Sequence, residues 1–184
     1  MTKDINFKKY RKSLFLYLNH TYYKNLNYKI SKNNTLILAR RLSLSEEIKM
    51  IKEQLNERRR FIKIYSKTKD FFYRFIAADS ISPSTISNIR VSKQIIKIVK
   101  FYKPKKYIST FEGYSWEKTP IKFINTNIKN CKTYGYIPGI PLKDFGSSLI
   151  IYKKDYFPNF LLVSGKNTII KRQKVLKNYQ KIYI

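Results

Sequence analysis

Histidine and cysteine are almost missing from this chain of 184 residues: each occurs once, as His20 and Cys131. A single cysteine excludes an internal disulfide and any thiolate cluster that could hold zinc. It also points to a reducing compartment or an organelle interior. A single imidazole, set between Asn19 and Thr21, has no nameable partner to orient it as a general base. Cys131 likewise has no histidine near it in sequence to activate it as a nucleophile. Glycine is scarce, at 5 residues, and no GxxxxGK[ST] loop occurs. Ser164-Gly165-Lys166 resembles only the tail of that motif, so a nucleotide site is not expected. No apolar run approaches the roughly 20 residues needed to span a bilayer. The best stretch, Ser147 to Val163, is cut by Lys153-Lys154-Asp155. With Met1 at its start, the chain is expected to carry no removed presequence. The composition therefore predicts no enzyme, no metal and no cofactor.

Acidic residues are the other shortage, and they define the class. Lys and Arg total 39 against 11 Asp and Glu, for a net charge of +28. The excess is no tail: residues 1–66 hold 16 basic and 5 acidic side chains, and residues 67–184 hold 23 and 6. A compact body with this much like charge repels itself unless a polyanion neutralises it. Nucleic acid, an anionic membrane surface and an acidic protein are the three candidates. With 12 Phe, 16 Tyr and 43% hydrophobic residues, the chain also has material for a core. Cations alternate with aromatics, as in Lys100-Phe101-Tyr102 and from Lys153 to Phe157, as expected of a protein enclosed by RNA. Lys outnumbers Arg 30 to 9, Asn occurs 14 times and Ala only three times. That bias fits the codons of an A/T-rich genetic system such as an organelle genome.

Periodicity predicts the elements. Leu14, Phe15, Leu18 and Tyr22 fit one helical face, and Thr35 to Leu38 reads either as a short strand or as the run into the next element. Ser43 with Glu46 reads as a capping box opening a helix, along which Ile48, Ile51, Leu55 and Ile62 recur at helical spacing. Glu46, Glu47, Glu53 and Glu57 on it read as dipole complement and surface pairing rather than an acid/base pair. Arg58-Arg59-Arg60 either grips phosphate or is a solvated face. Asp70 opens a second helix whose apolar face is Phe71, Phe72, Phe75 and Ile76. Ile81 to Asn88 reads as a turn, Ile89 to Val91 as a strand, and Ser92 as the cap of a third helix ended by Pro104. Beyond it the chain reads as β. Strands are expected at Tyr107–Phe111, Ile121–Asn125, Leu149–Tyr152, Phe160–Val163 and Lys181–Ile184. The turn at Gly113, the loop from Tyr134 to Pro141 and a weak helix over Ile169–Asn178 separate them.

The order and spacing of these elements resemble the eighth protein of the small ribosomal subunit. Asp70-Phe71-Phe72-Tyr73-Arg74-Phe75-Ile76-Ala77-Ala78 resembles that family's D-x-L-x-R-I-x-N-A helix, and Ile89-Arg90-Val91-Ser92-Lys93 its I-P-Y-S-K step. Gly146, Tyr152 and Pro158 resemble its P-G-x-R-x-Y and following proline. Leu161 to Thr168 resembles I-L-S-T-S-K-G-x-x-T. The resemblance covers about residues 67–184. It departs in a shortened serine loop, in Asn178-Tyr179-Gln180 where the family has two glycines, and in an unmatched Cys131 to Pro141.

What the resemblance implies is an α+β fold. It has a basic, partly helical extension over 1–66, an α/β module of helix, strand, helix and strands over 67–128, and a β-rich RNA-binding module over 129–184. Ser164, Lys166 and Thr168 would meet RNA through the serine loop, with Arg74, Ser92, Lys93 and Tyr152 as further contacts. The expected function is structural: binding of small-subunit rRNA in an organellar, mitochondrial ribosome, with neighbouring proteins met by the extension. The alternatives are another ribosomal protein or RNA-assembly factor, and a basic peripheral subunit of an organelle membrane complex.

Overall fold

A computed structural model describes residues 14–18, 35–38, 42–137, 154–163 and 182–183. The chain divides into two compact units, Met1–Glu53 and Gln54–Ile184. In the first, β1 (Phe15–Leu18) pairs in parallel with β2 (Thr35–Leu38), with Phe15 opposite Thr35 and Leu18 opposite Leu38. The strand at 35–38 is as expected. The helical face proposed through Leu14, Phe15 and Leu18 is replaced by β1, because the Phe-Leu-Tyr-Leu run gains a ladder partner across the sheet that local spacing does not reveal. Leu38 and, on the first half of the next helix, Met50 are buried.

That helix, α1 (Leu44–Thr68), begins where the capping box placed it. Glu46 Oε2 accepts the Ser43 backbone N–H at 3.1 Å and the Ser43 hydroxyl at 2.6 Å. Helix α2 (Phe71–Asp79) starts at Asp70, whose carboxylate accepts the Phe72 N–H at 2.9 Å.

Helix α3 (Pro83–Tyr102) then corrects the reading of residues 81–91 as turn and strand. Pro83 sits in the first turn, where a missing N–H costs nothing, and the Ser82 hydroxyl accepts the Thr85 N–H at 3.1 Å. The proline that suggested a turn is thus a helix start. Lys103, left-handed at φ 43°, closes α3 directly before Pro104.

The second half is α+β with one sheet of parallel strands. It runs β3 (Lys106–Thr110), α4 (Ser115–Asn127), β4 (Lys132–Ile137), a single 3-10 turn (Lys154–Tyr156), β5 (Phe160–Val163) and β6 (Ile182–Tyr183). The strands lie in the order β3-β4-β5-β6, and each pair is parallel. The expected strands at 107–111, 160–163 and 181–184 hold to within a residue or two. The expected strand Ile121–Asn125 is instead the middle of α4, and the expected loop from Tyr134 holds β4 as far as Ile137. Pro120 hid the helix. Glu117, Pro120, Ile121 and Ile124 are all buried, at intervals of three and four, which is the inward stripe of a helix lying against β4 and α3. The expected elements at 149–152 and 169–178 lie outside the described residues.

Buried side chains alternate along the sheet: Tyr107 on β3, Thr133 and Ile137 on β4, Leu161 and Val163 on β5. Gly135 shares the inward face of β4. A Cβ there would meet Pro158 Cγ at 2.7 Å and Phe111 Cβ at 2.8 Å, closer than carbon atoms pack. Phe111 and Phe157 meet edge-on beside it at 5.7 Å. Gly135→Ala is therefore expected to destabilise the protein by about 1–3 kcal/mol through overpacking, read as a lower urea midpoint. An unchanged midpoint would show that Phe111 and Pro158 can give way.

Candidate ligand site at the carboxyl edge of the parallel sheet

Parallel strands send all their carboxyl ends to one edge of the sheet. The opposite, amino edge is closed by side chains. The Thr133 hydroxyl lies 2.9 Å from the amide oxygens of both Asn125 and Asn159, and it accepts the Asn159 N–H at 2.9 Å. Asn159 Oδ1 also accepts the Thr133 N–H, and Asn125 donates to the carbonyls of Asp155 and Phe157. This network ties the starts of β4 and β5 to the end of α4.

At that edge β3 leads through Phe111-Glu112-Gly113-Tyr114 into α4. Gly113 takes φ 97°, which a side chain disfavours. The turn is organised by one carboxylate that is fully buried. Glu117 Oε2 accepts the N–H groups of Glu112 at 2.9 Å, Gly113 at 2.8 Å and Tyr114 at 3.0 Å, and Oε1 accepts the Thr110 hydroxyl at 3.1 Å. Burial pushes the Glu117 carboxyl above its ordinary range, and the hydrogen bonds from Gly113, Tyr114, Thr110 and Glu112 pull the other way. Next to it, burial lowers the Lys118 ammonium while the nearby Glu117 charge raises it. The Lys118 Nζ lies 5.7 Å from the Phe157 ring centroid.

In folds of this kind the first strand-to-helix turn often cradles a phosphate with its backbone N–H groups. Here those donors are already committed to Glu117. A ligand anion would have to be met by the loops that leave the other strands. In the sequence, Ile137 of β4 directly precedes Pro138-Gly139, and Val163 of β5 directly precedes Ser164-Gly165-Lys166. Exposed Glu112 and Tyr114 complete the described rim.

Of the contacts inferred from the resemblance, Ser164, Lys166, Thr168 and Tyr152 lie outside the described residues. Arg74 is exposed on α2 and Lys93 is half-buried on α3. Ser92 does not cap a helix: it is buried in the middle of α3, where its hydroxyl donates to the Asn88 carbonyl at 2.8 Å. It also lies 3.5 Å from the Trp116 carbonyl, the group that Pro120, lacking an N–H, cannot satisfy within α4. Its hydroxyl serves the helix–helix contact rather than a surface. Glu117 was missed by the sequence reading. Its signal was a glycine after a strand with a glutamate four residues on, legible only once 115–127 is read as a helix.

Removing the carboxylate tests its role. Glu117→Ala removes the acceptor of three part-buried N–H groups and is expected to cost about 1–3 kcal/mol in all, because water can reach some of the freed donors. Glu117→Gln, which keeps an acceptor oxygen, is expected to cost less. Because the folded pKa is raised, the glutamate's contribution is largest at acid pH and declines as pH rises through its folded pKa. The stability difference between wild type and Glu117→Gln should therefore shift in favour of Gln as pH rises, in urea titrations at stepped pH. A difference independent of pH would overturn the assignment. Comparison with protein families, with curated proteins and with solved structures finds nothing that matches this chain.

Proposed function

We propose that this chain binds a small phosphate-bearing molecule at the carboxyl edge of its parallel sheet. The observation that carries the reading is the parallel order β3-β4-β5-β6, with the amino edge closed by the Thr133–Asn125–Asn159 network. Open parallel sheets take ligands outside the carboxyl ends of their strands, commonly where the strand order reverses; here the order runs straight through, and the loops after β4 and β5 carry the assignment. The net charge of +28 favours an anion there, since the field of the whole protein raises the local concentration of negative ligands. Lys166, three residues beyond the end of β5, is the cation we assign to the phosphate, with the Ser164 and Thr168 hydroxyls as further donors. The absence of a GxxxxGK[ST] loop is no obstacle in this arrangement, because the first turn is occupied by Glu117.

A second reading is favoured by the exposure of Arg58, Arg59, Lys63, Lys67, Lys69 and Arg74. It is the structural rRNA-binding protein of a mitochondrial small ribosomal subunit that the family resemblance implies, with Ser164, Lys166 and Thr168 on RNA. On that reading, neutralising six phosphates would make affinity fall by about three decades between roughly 50 and 200 mM salt.

The two separate in one set of measurements. Calorimetric titration with nucleoside mono- and diphosphates is expected to show saturable binding that Lys166→Gln weakens by about tenfold or more, the worth of one charge-assisted hydrogen bond. Filter binding to a structured rRNA fragment is then expected to be non-specific, matched by an unrelated RNA of the same length, and insensitive to Lys166→Gln. Absence of any nucleotide binding would sink the first reading. Tight RNA binding with a steep salt slope, together with co-sedimentation with small subunits that RNase abolishes, would establish the second.

A further inference from the structure

Helix α2 is built the wrong way round for a soluble surface helix. The sequence predicts that Phe71, Phe72, Phe75 and Ile76 form its core face, but the residues turned inward are Ala77, which is buried, with half-buried Tyr73 and Ile76. Phe71, Phe72 and Phe75 are 68%, 62% and 71% exposed. At about 100° per residue they share an arc of about 100°, so three rings stand side by side in solvent. Exposed apolar side chains also line α1. The Phe71 ring lies 5.8 Å from that of Tyr65, and Ile62 and Leu55, seven residues apart and so on one line of the helix, are 45% and 38% exposed. A ridge of this kind on a monomer marks a docking surface.

The flanks of the ridge say what it docks on. Arg58, Arg59 and Lys63 border the Leu55–Ile62 line. Lys67 and Lys69 stand at the junction of the two helices, and Arg74 projects from α2; all six are exposed. The acids of α2 are engaged locally. Asp70 caps its start, and Asp79 accepts the hydroxyls of Ser82 and Thr85 at 3.1 Å each. Aromatic and aliphatic side chains on one face, bordered by cations, is the pattern of helices that lie in a bilayer interface: the rings enter the acyl boundary and the cations meet phosphate headgroups. A second copy of the chain would bring Arg58, Arg59 and Lys63 against themselves. RNA would satisfy the cations but leave Leu55 and Ile62 wet. No described helix is long and apolar enough to cross a membrane.

We propose that the Leu55–Ile62–Phe71–Phe72–Phe75 ridge seats the protein on an anionic phospholipid surface, lying in its interface without crossing it. This extends the reading of the sheet-edge site and does not depend on it.

The test uses the full chain, freed of nucleic acid by nuclease and a salt wash, and sedimentation with vesicles. Vesicles of phosphatidylcholine with about one third phosphatidylglycerol should carry the protein down, and pure phosphatidylcholine should not. Burial of a ring in the interface is worth about tenfold or more in partitioning, and each cation near an anionic surface about fivefold. The triple variant Phe71→Ser, Phe72→Ser, Phe75→Ser should therefore lose binding by at least about tenfold at unchanged net charge. Arg58→Gln with Arg59→Gln and Lys63→Gln should weaken it by about a hundredfold and reduce its salt dependence. If the triple variant fails to fold, Phe72→Trp supplies the readout: its emission should be quenched by vesicles of brominated lipid well beyond any quenching of Trp116 in the unmodified chain. No sedimentation with the anionic vesicles, or sedimentation that ignores the Phe residues, would overturn the proposal. So would a phenylalanine-dependent affinity for structured RNA that displaces the vesicles. Nucleotide binding by the Phe variants, measured alongside, reads the sheet-edge site separately.

Discussion

One buried carboxylate organises the second half of this protein. Glu117 collects the N–H groups of three consecutive residues and the hydroxyl of Thr110. Without it, the chain leaving β3 would leave those part-buried donors to compete for water, and the turn would lose its fixed acceptor. With it, the turn is fixed, α4 starts where the turn ends, and Ile121 and Ile124 are aimed inward. The parallel return into β4 follows, because a parallel neighbour requires a crossover and α4 is that crossover. The carboxylate also takes up the N–H donors of this strand-to-helix turn, so the same interaction that builds the edge withholds them from any other acceptor.

A protein with 39 basic and 11 acidic side chains must spread its cations over exposed surface, and among the described residues most of them stand on helices. Among the described residues Arg60 and Glu57 form an ion pair at 3.2 Å, exposed and so worth little. Some cations rest on rings instead. Lys100 lies 5.0 Å from Phe123, and Lys122 lies 4.5 Å from Tyr156 while donating to its hydroxyl at 2.7 Å. Aromatics in this chain therefore serve two ends. Phe111, Phe157 and Tyr107 fill the core, whereas Phe71, Phe72 and Phe75 stand outside it among cations. The two groups are alike in composition and differ only in what the fold puts opposite them.

The signals carried by neighbours a few residues apart were legible in the sequence. The Ser43–Glu46 box, the Asp70 cap, the Pro104 stop and the Gly113 turn depend on such contacts, and all are present. The strands expected at 107–111 and 160–163 form within a residue of those bounds, from their β-prone composition. Where local signals pointed two ways, the competing principle won. Pro83 starts a helix because a first-turn proline loses no bond, and Pro120 sits inside one because α3 and the sheet bury its turn.

The sequence alone determined the class of the chain: an α+β body with a core, a large excess of cations, and no thiol or imidazole cluster for chemistry. Only the tertiary structure decided that the strands are parallel, that Ser92 faces a neighbouring helix, that Glu117 is interior, and that the most apolar arc of α2 points away from the core. The reason is physical. Caps and turns are fixed by atoms within one turn of chain. Strand direction, burial and the facing of a helix are fixed by partners far apart in sequence, whose packing outweighs the local pattern.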